Sequence, residues 1–219
     1  MTTPNFRSDS SEFSFTDWLE ANRRAVSIAG ALVAAAVVGG WFYMRSAEIK
    51  RMNAERSLAQ AKQSIAAGNK ALAATDLQRV ATRYKGTPGG ATAALLLAQV
   101  HYDDGKFAEG IAAMAPYRSS SAAGASLPEI WALTGDGQLM LGQGDSAVAS
   151  FQRAAGATDM PGARAAFRAR AARALMIAGK PQEARAIWEQ LAADPEATIV
   201  KAEAEIRIGE LAARQAAKP

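Results

Sequence analysis

Gly68, Gly105, Gly142 and Gly179 stand 37 residues apart, each from the next. Their neighbours repeat with them. Five residues after each glycine come Ala73, Gly110, Ala147 and Ala184, and seven before come Ala61, Ala98, Gly135 and Ala172. Larger apolar side chains hold two further stations: Leu77, Met114, Phe151 and Trp188 nine residues after, and Ile65, Tyr102, Leu139 and Met176 three before. Small and large residues at fixed offsets from a glycine are what an antiparallel helix pair needs. The glycine makes the tight turn, the small residues let the two helices cross closely, and the large ones fill the groove beside them. A unit of this kind buries its apolar faces only against its neighbours, so repetition at a fixed period predicts a stack. The expected fold is all-α, an α-solenoid of about four helix pairs, with residues 197–216 as a C-terminal capping helix.

Alanine richness serves the same packing, because it joins small size to the highest helix propensity. Pro88, Pro128, Pro161 and Pro195 fall between units, where a helix is expected to stop. The Gly-rich stretch Gly86–Gly90 and the Ser-rich stretch Ser119–Ser126 read as connecting loops.

Ahead of the repeats, residues 25–44 (AVSIAGALVAAAVVGGWFYM) carry no charge over 20 positions, with Arg23 and Arg24 on one side and Arg45 on the other. At 1.5 Å per residue this run is roughly 30 Å long, the thickness of a hydrocarbon core. Trp41 and Tyr43 stand near its far end, where amphipathic rings favour the headgroup layer. The reading is a single transmembrane helix. It is too long for a signal peptide, and Arg45-Ser46-Ala47 lacks the small residue needed three positions before a cut, so the anchor is expected to stay uncleaved. Within it, Ser27, Ala31, Ala35 and Gly39 form a stripe of small side chains along which a second membrane helix can approach. The expected domains are residues 1–24, a polar tail with a short amphipathic helix carrying Phe15, Trp18 and Leu19; residues 25–44, the span; and residues 45–219, the repeat domain. Three basic residues precede the span (Arg7, Arg23, Arg24) and five follow closely (Arg45, Lys50, Arg51, Arg56, Lys62). The positive-inside bias taken alone puts the C-terminal side in the cytoplasm.

With no Cys and one His, the chain has no disulfide or cysteine metal site, and hydrolytic triads and His-rich zinc sites are disfavoured. His101, inside ALLLAQVHYDDG on an expected core helix, reads as structural. Gly86–Gly90 lacks the Lys-Ser/Thr of a phosphate loop. No catalytic residue, cofactor or metal ligand is assigned, and the chain is expected to bind rather than catalyse. A net charge of +4 without a clustered basic face does not predict nucleic-acid binding. Arg164, Arg168, Arg170 and Arg173 form the densest basic run, but they cover more than one face of one helix and read as solvated.

Trp131, Gly135, Ala147, Phe151, Ala154 and Pro161 resemble the tetratricopeptide signature, and Ala184, Trp188 and Pro195 echo it. Thr134 and Gln138 stand where that signature has Leu and Tyr, and the period is longer than the usual 34 residues. Over most of its length the chain is also similar to the YfgM family of bacterial inner-membrane proteins. The similarity is carried by TDWLEANRRAVSIAG before and into the span, GGWFYMRS at its end, an Ala- and Gln-rich helix and divergent repeats. That resemblance implies an ancillary role at the SecYEG translocon, periplasmic chaperones or emerging chains as partners, a cytoplasmic N-terminus and a periplasmic repeat domain. It opposes the arginine count and is preferred to it. An accessory structural or assembly subunit of another inner-membrane complex is the alternative.

Repeats of this type bind partners on the concave face made by the first helices of successive pairs. Six residues before each glycine these helices carry Gln99, Asp136 and Arg173, with Tyr102, Leu139 and Met176 one turn on. The six are the candidate partner-binding residues, the apolar ones supplying buried area and the polar ones direction.

Overall fold

The structure, a computed structural model, describes Trp18 and residues 22–216. The amphipathic helix expected around Phe15 and Leu19 lies outside the described residues. Trp18 itself is helical, and its carbonyl accepts hydrogen bonds from the backbone N–H and side-chain amide of Asn22, each at 3.0 Å. The chain divides into two compact units, residues 1–49 and residues 50–219.

The first unit is dominated by the N-terminal part of α1 (Arg23–Ala66), a helix of 44 residues. Its large apolar side chains from Ile28 to Met44 are 61–77% exposed, so this segment takes no part in the core of the described chain. By length and composition it is sufficient to cross a membrane.

The second unit is built from hairpins and contains no strand among the described residues. The C-terminal part of α1 pairs with α2 (Lys70–Arg83), α3 (Pro88–Asp103) with α4 (Phe107–Met114), α5 (Leu127–Met140) with α6 (Gly144–Gly156), and α7 (Pro161–Ile177) with α8 (Pro181–Ala193). The last helix, α9 (Thr198–Ala216), packs on both α7 and α8. The four turn glycines adopt the same left-handed backbone, with φ between +72° and +75°. Each closes its helix with the same two bonds. Gly68, Gly105, Gly142 and Gly179 donate to the carbonyls three residues back, and Asn69, Lys106, Gln143 and Lys180 donate to those five residues back, all at 2.8–3.2 Å. This arrangement satisfies carbonyls that a helix end leaves open, and only glycine enters it without a steric cost from Cβ.

The small and large stations interlock. All eight small residues are buried, as are Leu77, Met114, Phe151 and Trp188. A Cβ added to Gly135 would stand 2.8 Å from the Phe151 ring, and one added to Gly110 would stand 2.3 Å from the Tyr102 ring. Each glycine is therefore the socket for the large residue of its partner helix. The core follows in two clusters. One gathers Leu58, Leu77, Leu97, Met114, Tyr117 and Ile130; the other gathers Phe151, Leu175, Trp188, Leu191, Val200 and Leu211.

Three details of the connections differ from the sequence reading, the first being that Ser121–Ser126, expected as loop, forms a 3-10 helix kinked at Gly124. Pro88, Pro128 and Pro161 begin helices instead of standing after their ends, because proline at the first positions of a helix has no N–H to leave unpaired; Pro195 does lie in the turn between α8 and α9. The Gly86–Gly90 stretch is also only partly a loop. Gly86 turns at φ +90°, Thr87 caps α3 by accepting from Gly90 N–H at 3.1 Å, and Gly89 and Gly90 are buried in the first helical turn. A Cβ on Gly90 would meet the Tyr84 carbonyl oxygen at 2.4 Å, so this helix end approaches the preceding turn as only glycine allows.

One substitution at two helical glycines separates packing from propensity. Gly209→Ala in α9 meets nothing within 4 Å and should stabilise the repeat unit by about 0.5–1 kcal/mol through helix propensity. Gly110→Ala should instead destabilise it by about 1–3 kcal/mol through overpacking against Tyr102. The shift in urea midpoint measures both.

Candidate partner-binding face

The first helices of the hairpins, α3, α5 and α7, carry the six candidate residues, and the structure gives them unequal roles. Gln99 is exposed on α3. Tyr102 is half-buried and wedged between units. Its hydroxyl donates to the Leu133 carbonyl at 2.9 Å, its ring packs on Phe107 with centroids 5.3 Å apart, and its far end fills the space that Gly137 leaves open. Burial first, and the charge of Asp136 second, raise the Tyr102 pKa well above the ordinary tyrosine value, so the hydroxyl stays a donor.

Asp136 on α5 is ion-paired with Arg170 on α7, whose guanidinium also lies 4.7 Å over the Phe151 ring. Arg173 on α7 grips Glu203 on α9 through two hydrogen bonds. That pairing raises the Arg173 pKa and lowers that of Glu203 below its ordinary 4.5. Leu139 and Met176 are half-buried against the C-terminal cluster. Of the six, Arg173 and Met176 line one cavity together. It is an open pocket of about 340 Å³ where the last turn of α7 meets α9 over the buried ring of Trp188.

The basic run on α7 is divided among separate partners: Arg164 donates to the Thr158 carbonyl at 3.2 Å, Arg168 to Gln190, Arg170 to Asp136 and Arg173 to Glu203. His101 is half-buried in the last turn of α3. No group of three metal-ligating side chains occurs among the described residues. The small residues of the apolar segment, Ser27, Ala31, Ala35 and Gly39, are all exposed, and Ser27 Oγ donates to the Arg24 carbonyl at 2.9 Å.

The sequence reading missed the ties across neighbouring units. Tyr117 Oη donates to the Ala81 carbonyl at 2.6 Å, and Lys180 pairs with Asp145 at 2.7 Å. Trp131 has Arg153 and Arg118 over its ring at 4.6 and 5.6 Å. Arg118 and Arg153 stand near Trp131 in the chain, whereas Tyr117 and Ala81, Asp145 and Lys180, and Asp136 and Arg170 lie roughly one repeat apart in sequence. Opposite charges at that separation were the available signal.

A stack of helix hairpins that encloses its core between neighbours and leaves its first helices lined with polar and half-buried apolar side chains is a protein-interaction scaffold. The chain belongs to the tetratricopeptide repeat-like domain family, whose profile matches residues 16–126 and, overlapping, 49–168. Among solved structures it is similar to the nearly identical TPR-like repeats of a Podosopora anserina kinesin light chain, with a TM-score of 0.52 and 18% identity over 74% of this chain and 94% of that one. A second crystal structure of the same repeats agrees to the same degree. No curated protein matches the chain significantly in sequence.

The Glu203 carboxylate makes the C-terminal pairing pH-dependent. Its folded pKa lies below the unfolded one, so its contribution is fully present above about pH 4.5 and is lost as the pH falls through the lower, folded value. Urea midpoints measured against pH should fall in that acid window, and Glu203→Gln should lower the neutral-pH midpoint and flatten the acid limb.

Proposed function

We propose that this protein is a single-span scaffold of the bacterial inner membrane, with a cytoplasmic N-terminus and a periplasmic repeat domain that receives partner proteins on its first-helix face. The observation that carries the reading is the exposed apolar stretch of α1, together with its place in the same helix that supplies the first half of the first hairpin. Some twenty uncharged residues with their large side chains bare need a bilayer or another membrane helix to cover them. The repeat unit brings binding surface, and anchoring it raises the local concentration of its partners at the membrane.

The resemblance to the YfgM family supports the translocon as the membrane neighbour and periplasmic chaperones or emerging chains as the recruited partners. On this reading Gln99, Tyr102, Asp136, Leu139, Arg173 and Met176 mark the receiving face. Gln99 offers a free polar contact, Leu139 and Met176 offer apolar area, and the paired residues hold successive helices in register. A second reading, an accessory subunit of another membrane complex, is favoured by the exposure of the Ser27, Ala31, Ala35 and Gly39 stripe.

Protease added to spheroplasts should digest the chain beyond residue 45; full protection of that part overturns the topology. A photo-crosslinker at Gln99 in intact membranes should capture a translocon subunit, a periplasmic chaperone or a chain in transit. Ala31→Leu combined with Ala35→Leu separates the two readings. Loss of the membrane neighbour with chaperone capture retained fits the scaffold, whereas loss of every partner fits the accessory subunit.

A further inference from the structure

The last two hairpins and α9 carry corresponding residues at the 37-residue period, with one reversal of charge. Phe151 corresponds to Trp188 and Arg170 to Arg207, but Asp136 corresponds to Arg173. In the earlier unit the Asp136 carboxylate holds Arg170, and Arg170 lies over Phe151 and covers it. In the last unit that carboxylate is replaced by a second guanidinium. Arg207 turns along its own helix to Glu210 at 2.9 Å, with Glu203 at 3.9 Å, and Arg173 is taken up by Glu203. The space over the indole is left as the pocket of about 340 Å³, the lower end of the range for ligand sites.

The walls and charges of this pocket define what fits it. Met176, Ile177 and Leu211 supply apolar surface, and Ile177 is 68% exposed. Arg173, Arg207 and Arg214 face it, while Glu203 and Glu210 are the carboxylates paired with these cations, so one positive charge is left over. The indole N–H of Trp188 is buried without an acceptor among the described residues, in an environment where buried donors are ordinarily paired. We propose that the pocket receives an acidic residue next to a large apolar one from a partner polypeptide. The partner's carboxylate takes the role that Asp136 plays one unit earlier, and its apolar side chain covers the floor that Arg170 covers there. Charge-assisted bonds from guanidinium groups to a carboxylate over an apolar floor are the strong kind of polar contact, and they discriminate against the neutral amide. The inference rests on the scaffold reading and names the chemistry of its occupant at the C-terminal end of the face.

The probe is a fluorophore-labelled peptide, blocked at both ends, carrying Glu-Phe within a Gly/Ser sequence, and titrated onto the full chain in detergent micelles by fluorescence anisotropy. Replacing Glu-Phe with Gln-Phe or Glu-Ser should weaken binding by about 10-fold or more. Arg173→Asp rebuilds the arrangement of the preceding unit by offering Arg207 a carboxylate on α7, as Asp136 is offered to Arg170, and should abolish binding. Arg214→Gln and Ile177→Ser, both at exposed positions, should each weaken it several-fold with the helical circular dichroism unchanged. Absence of Glu-Phe binding, equal binding of Gln-Phe, or undiminished binding to folded Arg214→Gln and Ile177→Ser chains overturns the proposal. Crosslinking from Gln99 in membranes reports the scaffold reading separately. Retained crosslinks without peptide binding therefore remove the pocket and leave that reading standing.

Discussion

Each hairpin of the repeat unit turns on a glycine held near φ +73°, where the chain leaves one helix, satisfies two of its open carbonyls and enters the next. The turn sets where the second helix starts relative to the first. Because it is the same in all four hairpins, it carries the small residues at equal offsets into equivalent, buried surroundings. The small stations are buried in every unit, and the large stations of the second helices are buried with them. An L-residue at the turn would be strained by its Cβ, and a larger residue at Gly110 or Gly135 would collide with a ring already in place.

Neighbouring units are held together by ties that span about one repeat. Tyr102 reaches the Leu133 carbonyl, Tyr117 the Ala81 carbonyl, Asp136 pairs with Arg170, Asp145 with Lys180 and Arg173 with Glu203. The Tyr117 bond is buried, whereas the ion pairs are at least partly open to solvent, where screening reduces what they contribute. Burial pushes the Tyr117 hydroxyl up to about 12 and keeps it a donor across the physiological range. The polar residues of the first-helix face thus serve the stack as well as its surface. Their pairing leaves Gln99, with the half-buried Leu139 and Met176, as the side chains offered outward. At the last hairpin, exchanging an acid for Arg173 replaces the inter-unit closure by a pocket.

The architecture was legible because it depends on side-chain size at a fixed period. Gly68, Gly105, Gly142 and Gly179 and their small and large companions are visible in one dimension, and a left-handed turn after a helix has few alternatives to glycine. The uncharged stretch of α1 was legible for the same reason, as a matter of length and polarity. Helix boundaries were less so. Pro88, Pro128 and Pro161 mark breaks between units equally well as stops or starts, and only the backbone at each position shows that they open helices.

The sequence by itself determined that the chain folds as repeated helix pairs with glycine turns and carries one long apolar helix, because period, residue size and hydrophobicity are local properties. Tertiary structure decided which polar side chains are consumed in joining units. Tyr102 faces inward to a carbonyl 31 residues away, and Arg173 and Glu203, 30 residues apart, meet only when α9 is laid beside α7. It also decided that the last unit is left open over Trp188, a consequence of which guanidinium finds a carboxylate once neighbouring helices lie side by side.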